Sequence, residues 1–267
     1  MLSEIFEKDR WMRIAYGKLL KSAYYNPDIV TKIDLFLGSY AEFYNLSISD
    51  VIAIYNNFTN DYSKDIREFL KTGKYPFELG VKREIKRVDY DIVLILSVVL
   101  SIHRHRIFSQ LISSSNRNSS DIVLIGVGSG LEIEFLSKEH NRITTYDISI
   151  SDFAKARYSD IEMKESYFKG TEKNLSSIYA IELIEHLSDP TVFLKMVYDS
   201  MMLGGQFFFT TATNVPQIDH LANFPDMEAF ESKLKQIGFT IEQNIVIVHE
   251  SIDSKLEASN NWFEVKK

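Results

Sequence analysis

The sequence predicts an α/β fold built on a largely parallel sheet and preceded by an all-helical N-terminal cap. Three observations predict it. Residues 1–85 show helical periodicity and nothing that alternates as a strand. From residue 121 onward, strand-like and helix-like segments alternate, which implies a parallel sheet with helices on both faces. The first of those strands, "IVLIGV", runs into Gly126, Gly128 and Gly130. Glycine inside a strand or helix costs about 0.5–1 kcal/mol relative to alanine, so three together mark a backbone that must turn tightly or lie close to something.

Composition sets the class. The 267 residues are 45% hydrophobic and 25% charged, the balance of a globular chain with room for a sizeable core. A net charge of −7 argues against a general nucleic-acid or membrane-surface binder, which needs a basic face. There is no cysteine, which excludes disulfides, thiolate nucleophiles and cysteine-based zinc sites. The N-terminal "MLSEIFEKDRWMR" is charged throughout, unlike a secretory signal. The longest apolar run, "IVLILSVVLSI" (92–102), is shorter than the roughly 20 residues that span a bilayer. A soluble cytoplasmic protein is expected, with a homodimer left open.

In order along the chain, "SEIFEKDRWMRIAYGKLLKSAYY" places Ile5, Phe6, Met12, Ala15, Tyr16, Leu19 and Leu20 near one helical face. Asn26 before Pro27 is a helix entry. Ser47 or Ser49 caps the next helix, and Gly73 closes a segment ending "SKDIREFLKTG". Four or five helices are therefore expected in the cap, residues 1–85. Residues 87–112 read as one long helix, basic at 103–106, and 113–120 as a loop. Strands follow at "IVLIGV", "RITTYDI", "ESYFKG" (165–170), "SSIYAIEL" and "GGQFFFTTAT". Between them lie a helix start at "GLEIEFLSKE", a helix capped by Ser151, and the helix "DPTVFLKMVYDSMM". A last helix stops at Gly238, and two strands close the chain without a helix between them, suggesting an antiparallel edge. Residues 86–267 thus form the second unit.

A strand that enters a glycine-rich turn and then a helix brings backbone N–H groups to the carboxyl edge of a sheet, where ligands of open α/β sheets bind. The spacing is G-x-G-x-G, unlike the dinucleotide or phosphate-loop fingerprints. Alone it fits a bare β–α turn equally well. Asp147 ends the second strand about 20 residues beyond the glycines, where a carboxylate can accept from ribose hydroxyls. It could equally cap a helix.

The segment "AIELIEHLSDPTVFLKMVYDSMMLGGQFFFTTATN" adds Glu182, Glu185, His186, Asp189 and Pro190, then Leu203, Gly204 and Gly205, with Gly238–Phe239 after the last helix. In this combination residues 100–267 resemble the class I S-adenosylmethionine (SAM) dependent methyltransferases of the Glu-x-x-Glu-His type, similar to quinone-precursor and other small-molecule O-methyltransferases. The resemblance implies a Rossmann-like seven-stranded sheet of order 3-2-1-4-5-7-6 with SAM across the glycine turn. It implies that Gly126, Gly128 and Gly130 approach the amino-acid part, that Asp147 holds the ribose, and that Ile148 packs on adenine. Thr171 and Glu172 would cover the adenine edge, and Glu182 would contribute to the cofactor site. The chain departs from the family pattern at Leu124 and Ser176, where an acid is usual.

Methyl transfer from a sulfonium mainly requires positioning of the nucleophile, and a base helps where a hydroxyl or amine must lose a proton. His186, with Glu185 beside it, is the candidate catalytic pair; the alternative is that His186 caps the following helix. Glu182, Glu185, His186 and His220 form a candidate metal set of hard oxygens and imidazoles. Two subfamilies it resembles, quinone-precursor O-methyltransferases and small-RNA 2′-O-methyltransferases, use such a cluster with a divalent ion, although a metal-free hydrogen-bonded scaffold fits the same letters. Asn214, Gln217 and His220, in the loop after strand five, and Tyr24 in the cap are candidate acceptor contacts. Arg104 or Arg106 could reach the SAM carboxylate or lie on a solvated face. The reading is methyl transfer to a hydroxyl or amine of a small molecule, in specialised metabolism, under a helical lid. The rivals are an RNA 2′-O-methyltransferase, a SAM-using aminobutyrate transferase or cyclase, and a non-catalytic SAM-binding regulator.

Overall fold

The computed structural model describes residues 1–116, 121–136, 142–250 and 255–267. The cap contains α1 (Leu2–Lys8), α2 (Arg10–Lys21), α3 (Pro27–Phe43) and α4 (Ile48–Thr72). Each start has a chemical cause. The Asp9 carboxylate accepts from the Met12 amide, and the Asn26 side chain accepts from Asp28, with Pro27 at the first helical position. Ser47 and Asp50 form a reciprocal capping box. Gly73 ends α4 in the left-handed region, at φ 68°, where glycine has no Cβ penalty.

The long helix expected over 87–112 is two helices, α5 (Arg87–Leu100) and α6 (Ile102–Asn116), bent by 89° at Ser101. The apolar run hides the break, because its residues face two different partners. α5 packs against α2, α3 and α4, while α6 turns onto the sheet. The buried His105 ring locks the corner. Its Nδ1 lies 3.0 Å from the Val98 carbonyl, and Nε2 accepts from the Asn26 amide at 3.0 Å. Among the described residues no single helix is long and apolar enough to cross a membrane. The expected loop over 113–120 is helical through Asn116, and its last four residues lie outside those described.

The sheet comprises β1 (Ile122–Ile125), β2 (Ile143–Asp147), β3 (Glu162–Glu165), β4 (Leu175–Ala180), β5 (Met201–Thr213), β6 (Thr240–Val248) and β7 (Ser259–Lys266). Its order is β3-β2-β1-β4-β5-β7-β6. β1 to β5 pair in parallel, and β7 runs antiparallel to both β5 and β6. Three helices complete the layers: α7 (Asp152–Arg157), α8 (Pro190–Ser200) and α9 (Met227–Ile237). Ser151 caps α7 as expected, and Asp189, rather than His186, caps α8. β3 lies upstream of the segment expected at 165–170. It is a four-residue edge strand in which Met163 alone is apolar and packs on the core, stitched to its surroundings by Arg142–Glu162 and Lys155–Glu165 ion pairs, so it is too short and too charged for alternation to announce it. The helix expected over 130–139 is a single 3-10 turn, Glu132–Phe135; residues 137–139 lie outside those described.

Period-two alternation sends strand side chains to opposite faces. Ile122 and Leu124 join the core beneath the cap, with Tyr179 and Phe208. Val123, Ile125, Ile178, Phe207 and Phe209 join the opposite core under α8 and α9. Each such fully buried side chain stabilises the fold by about 1.5–3 kcal/mol. The cap residues Ile33, Phe36 and Leu37 belong to the same core cluster as the β1 residues, so the cap and the sheet share packing.

Candidate functional site

The carboxyl ends of the parallel strands open beneath α4 and α5 into a cavity of about 480 Å³. The roof is one stripe of α4: Tyr55, Phe58, Thr59, Tyr62 and Ile66. That spacing of three and four is a single helical face. Arg87, Tyr90, Val93, Leu94 and Ser97 of α5 extend it. The floor carries the glycine turn after β1, Asp147 and Ile148 after β2, Glu182 and His186 after β4, and Gln217, Asp219 and His220 after β5.

At one end the turn is held by its neighbour strand. Asp147 Oδ2 accepts from the Val127 and Gly128 amides at 2.7 and 2.8 Å, and Oδ1 accepts from the Ser149 amide at 2.8 Å. The turn's amides expected for a ligand are thus already occupied, and the carboxylate is the group that faces outward. Each of its oxygens has two lone pairs, so Oδ1 retains one for an incoming hydroxyl. Gly126, Gly128 and Gly130 all have positive φ, the region closed to most side chains. Ile148 borders the cavity at 60% exposure. An apolar surface left bare at that place fits the face of a purine.

The middle of the floor is an ion-pair network. Arg104 Nη1 lies 3.1 Å from Glu182 Oε2, and Arg104 is buried. Glu182 Oε1 accepts from Thr210 Oγ1 and from the Asn260 side-chain amide, each at 2.9 Å. Glu182 holds φ 51°, a conformation rare for a residue with a β-carbon. Arg104 is therefore no solvated-face residue. Arg106 instead covers the Tyr24 ring at 4.2 Å.

The far end brings Glu185, His186 and His220 together, with one ligand-capable atom from each within 4.8 Å of the others. The expected fourth member, Glu182, faces Arg104 and does not join them. Both Glu185 carboxylate oxygens and His220 Nδ1 are buried without a hydrogen-bond partner among the described residues. Burial, and then the charge of Glu182, push the Glu185 carboxyl well above its usual range. Burial, reinforced by His186, pushes His220 down to about 3, so it is neutral. Burial works against ionisation of Asp219, but His186 and His220 hold its carboxyl below its usual range. His186 Nδ1 lies 3.1 Å from the Asp219 carbonyl oxygen. A carbonyl only accepts, so in the neutral ring Nδ1 is the donor and Nε2 the nitrogen with the lone pair.

Of the remaining sequence-predicted residues, Gln217 lines the cavity and hydrogen-bonds Asp219 at 2.9 Å. Asn214 pairs with Asn223 instead. Tyr24 is 48% exposed outside the lining. Glu172 is tied to Tyr146 and Lys164, and Thr171 to Glu172; neither borders the cavity. Sequence reasoning missed Arg87, Tyr90 and Glu132, all in the lining. Arg87 carried a signal. It is a cation at the first position of a helix, where the dipole disfavours it, so something else holds it there.

No family model and no curated protein matches this sequence. Among solved structures, the cyclopropane synthase MmaA2 from Mycobacterium tuberculosis superposes with a TM-score of 0.51 at 11% identity, over 61% of this chain and 84% of that one. The N-methyltransferase NodS from Bradyrhizobium japonicum WM9, in complex with S-adenosyl-L-homocysteine, is similar at a TM-score of 0.49 and 18% identity, over 61% of this chain and 87% of that one. The strand order decides the architecture. This is the class I methyltransferase fold. In that fold the cavity lies at the carboxyl edge on both sides of β1, the switch point where α/β sheets take ligands.

Proposed function

We propose that the protein is a SAM-dependent methyltransferase acting on a hydroxyl or amine of a small molecule enclosed beneath the helical cap. One observation carries the reading. A single cavity runs from the glycine turn, Asp147 and Ile148 to His186, Gln217 and His220, so an adenosine site and a proton-accepting site share one enclosure. The lining fits the ligand. Asp147 suits vicinal hydroxyls and the bare Ile148 suits adenine, while the glycine turn leaves no side chain between them.

SAM supplies a methyl group already activated on a sulfonium. The protein's part is to aim the acceptor along the sulfur–methyl axis and to take its proton. With SAM bound, its methyl carbon would pass to the acceptor's oxygen or nitrogen with the carbon–sulfur electron pair left on sulfur, and His186 Nε2 would take the acceptor's proton. Donation from Nδ1 to the Asp219 carbonyl fixes the tautomer this requires. Tyr55, Phe58, Tyr62 and Ile66 give the roof a mostly apolar surface. The cationic side chains in the lining are Arg87 and Arg104, the latter paired with Glu182. That supports a small acceptor over RNA, whose phosphates need basic partners.

A second reading rests on the orphaned atoms at the far end. Glu185, His186 and His220 would hold a divalent ion. One carboxylate and two imidazoles suit a first-row transition metal better than magnesium, which prefers oxygen. Such an ion would acidify an acceptor hydroxyl.

Calorimetry with S-adenosylhomocysteine tests the cofactor site, and mass spectrometry of turnover products tests the reaction. Methyl transfer yields S-adenosylhomocysteine; 5′-methylthioadenosine would mark aminobutyrate transfer or cyclisation instead. Tight binding with no turnover would mark a regulator. Elemental analysis of purified protein decides the metal.

A further inference from the structure

The proposed cofactor site has no obvious partner for the charged end of its ligand. The Val127 and Gly128 amides are held by Asp147, and Arg104 by Glu182. Leu124, where the family resemblance leads one to expect an acid, is fully buried in the core. Two other charges line the cavity beside the turn, one of each sign.

Arg87 opens α5 and presses on the glycine turn. Its Nη2 lies 2.6 Å from where a β-carbon on Gly128 would stand, so the guanidinium occupies the space that a side chain there would take. Its position is fixed from behind. Asp91, one helical turn on and fully buried, lies 3.0 Å from Arg87 Nε, and its other oxygen accepts from Tyr40 Oη at 2.8 Å. With Nε engaged, neither Nη group is hydrogen-bonded to an acceptor among the described residues. Glu132, two residues past Gly130, begins the 3-10 turn and lines the same cavity. No other side chain among the described residues hydrogen-bonds its carboxylate. Burial raises that carboxyl to about 7, with Arg104 opposing and Asp91 and Glu182 adding to the shift.

We propose that Arg87 and Glu132 form a charge clamp for the amino-acid end of SAM, Arg87 taking the α-carboxylate and Glu132 the α-ammonium. The inference rests on the cofactor reading above. A guanidinium presents parallel N–H donors to a carboxylate, and an ammonium beside Glu132 supplies the countercharge the carboxylate lacks. Because Arg87 is anchored through Asp91 to Tyr40 of α3, the clamp also ties cofactor binding to the packing of the cap.

The test compares three ligands by calorimetry. S-adenosylhomocysteine carries both charges, S-adenosyl-3-thiopropylamine lacks the carboxylate, and 5′-methylthioadenosine lacks both. Arg87→Ala and Glu132→Gln should each weaken S-adenosylhomocysteine tenfold or more and leave 5′-methylthioadenosine within about twofold. Glu132→Gln alone should weaken S-adenosyl-3-thiopropylamine. Equal losses for all three ligands, or wild-type protein that binds S-adenosylhomocysteine no better than 5′-methylthioadenosine, overturn the clamp and leave the cofactor site standing. Wild-type protein that binds none of the three overturns the cofactor reading and the clamp with it. Glu132→Gln is near-isosteric on a half-buried side chain, so it decides the matter if Arg87→Ala fails to fold.

Discussion

Arg104 and Glu182 face each other at 3.1 Å on the floor of the cavity, the arginine arriving from α6 and the glutamate from the end of β4. The contact joins the bent helix to the sheet edge, and Asn260 of β7 and Thr210 of β5 complete it. Removing one partner of a buried pair strands the other charge, at a cost of about 3–5 kcal/mol. Arg104→Ala should therefore lower stability by about that amount in urea denaturation. The double variant Arg104→Met with Glu182→Gln should lose less than Arg104→Ala alone. A single variant within about 0.5 kcal/mol of wild type would show the pair to be solvated.

Asp147 is the next testable element, because the proposed cofactor role would give a second job to a carboxylate already in use. It already stabilises the turn through three backbone amides, and charge-assisted bonds of this kind contribute about 1.5–3 kcal/mol each. Asp147→Ala should loosen the turn and reduce S-adenosylhomocysteine affinity about 100-fold by calorimetry. Asp147→Asn, which keeps one acceptor oxygen, should fall between. Undiminished binding in Asp147→Ala would remove the residue from the cofactor site.

What was legible in the sequence follows from which forces act locally. The glycine turn, the carboxylate ending β2 and the Asp189–Pro190 helix start are all set within a few residues, and they stand where the pattern put them. The strand order was legible only through the family resemblance. The break at Ser101 was hidden because both faces of an apolar run are buried, and periodicity cannot say against what. β3 was misplaced because an edge strand needs no apolar alternation. Thr171, Glu172, Tyr24 and Asn214 were assigned by position along the chain, and each has instead a local partner away from the cavity. Arg87 and Glu132 were missed because a charge on a helix or turn reads as solvated until the roof above it is known.

Glu132 makes the free protein's stability depend on pH in a direction opposite to most carboxylates. Its folded carboxyl is raised to about 7, from an ordinary value of 4.5. The native state therefore holds this proton more tightly than the unfolded chain. Its contribution is complete below about pH 4.5 and is lost as pH rises through about 7. Glu132→Gln, neutral at every pH, should remove this slope and be the more stable protein at pH 8. Urea midpoints at pH 5, 6, 7 and 8 measure it; parallel profiles for the two proteins would show that the group is not buried in the free state.

His186 separates the two readings of the far end of the cavity. As a base it acts only in the transfer step, so His186→Gln should lower kcat by about 10²–10⁴, followed as S-adenosylhomocysteine release. The affinity for S-adenosylhomocysteine should stay within about twofold. Asp219 meets His186 Nδ1 with its main-chain carbonyl at 3.1 Å and with its carboxylate Oδ2 at 3.4 Å; Asp219→Asn keeps the carbonyl contact and loses only the charge, so it should reduce kcat less than His186→Gln does. If the three-residue cluster holds a metal instead, Glu185→Gln and His220→Gln should match His186→Gln in rate, and all three should lose bound metal together. The Glu185 carboxylate and His220 Nδ1 have no hydrogen-bond partner among the described residues, so a base mechanism leaves their variants impaired chiefly in stability. An unchanged rate in His186→Gln would exclude it from both roles.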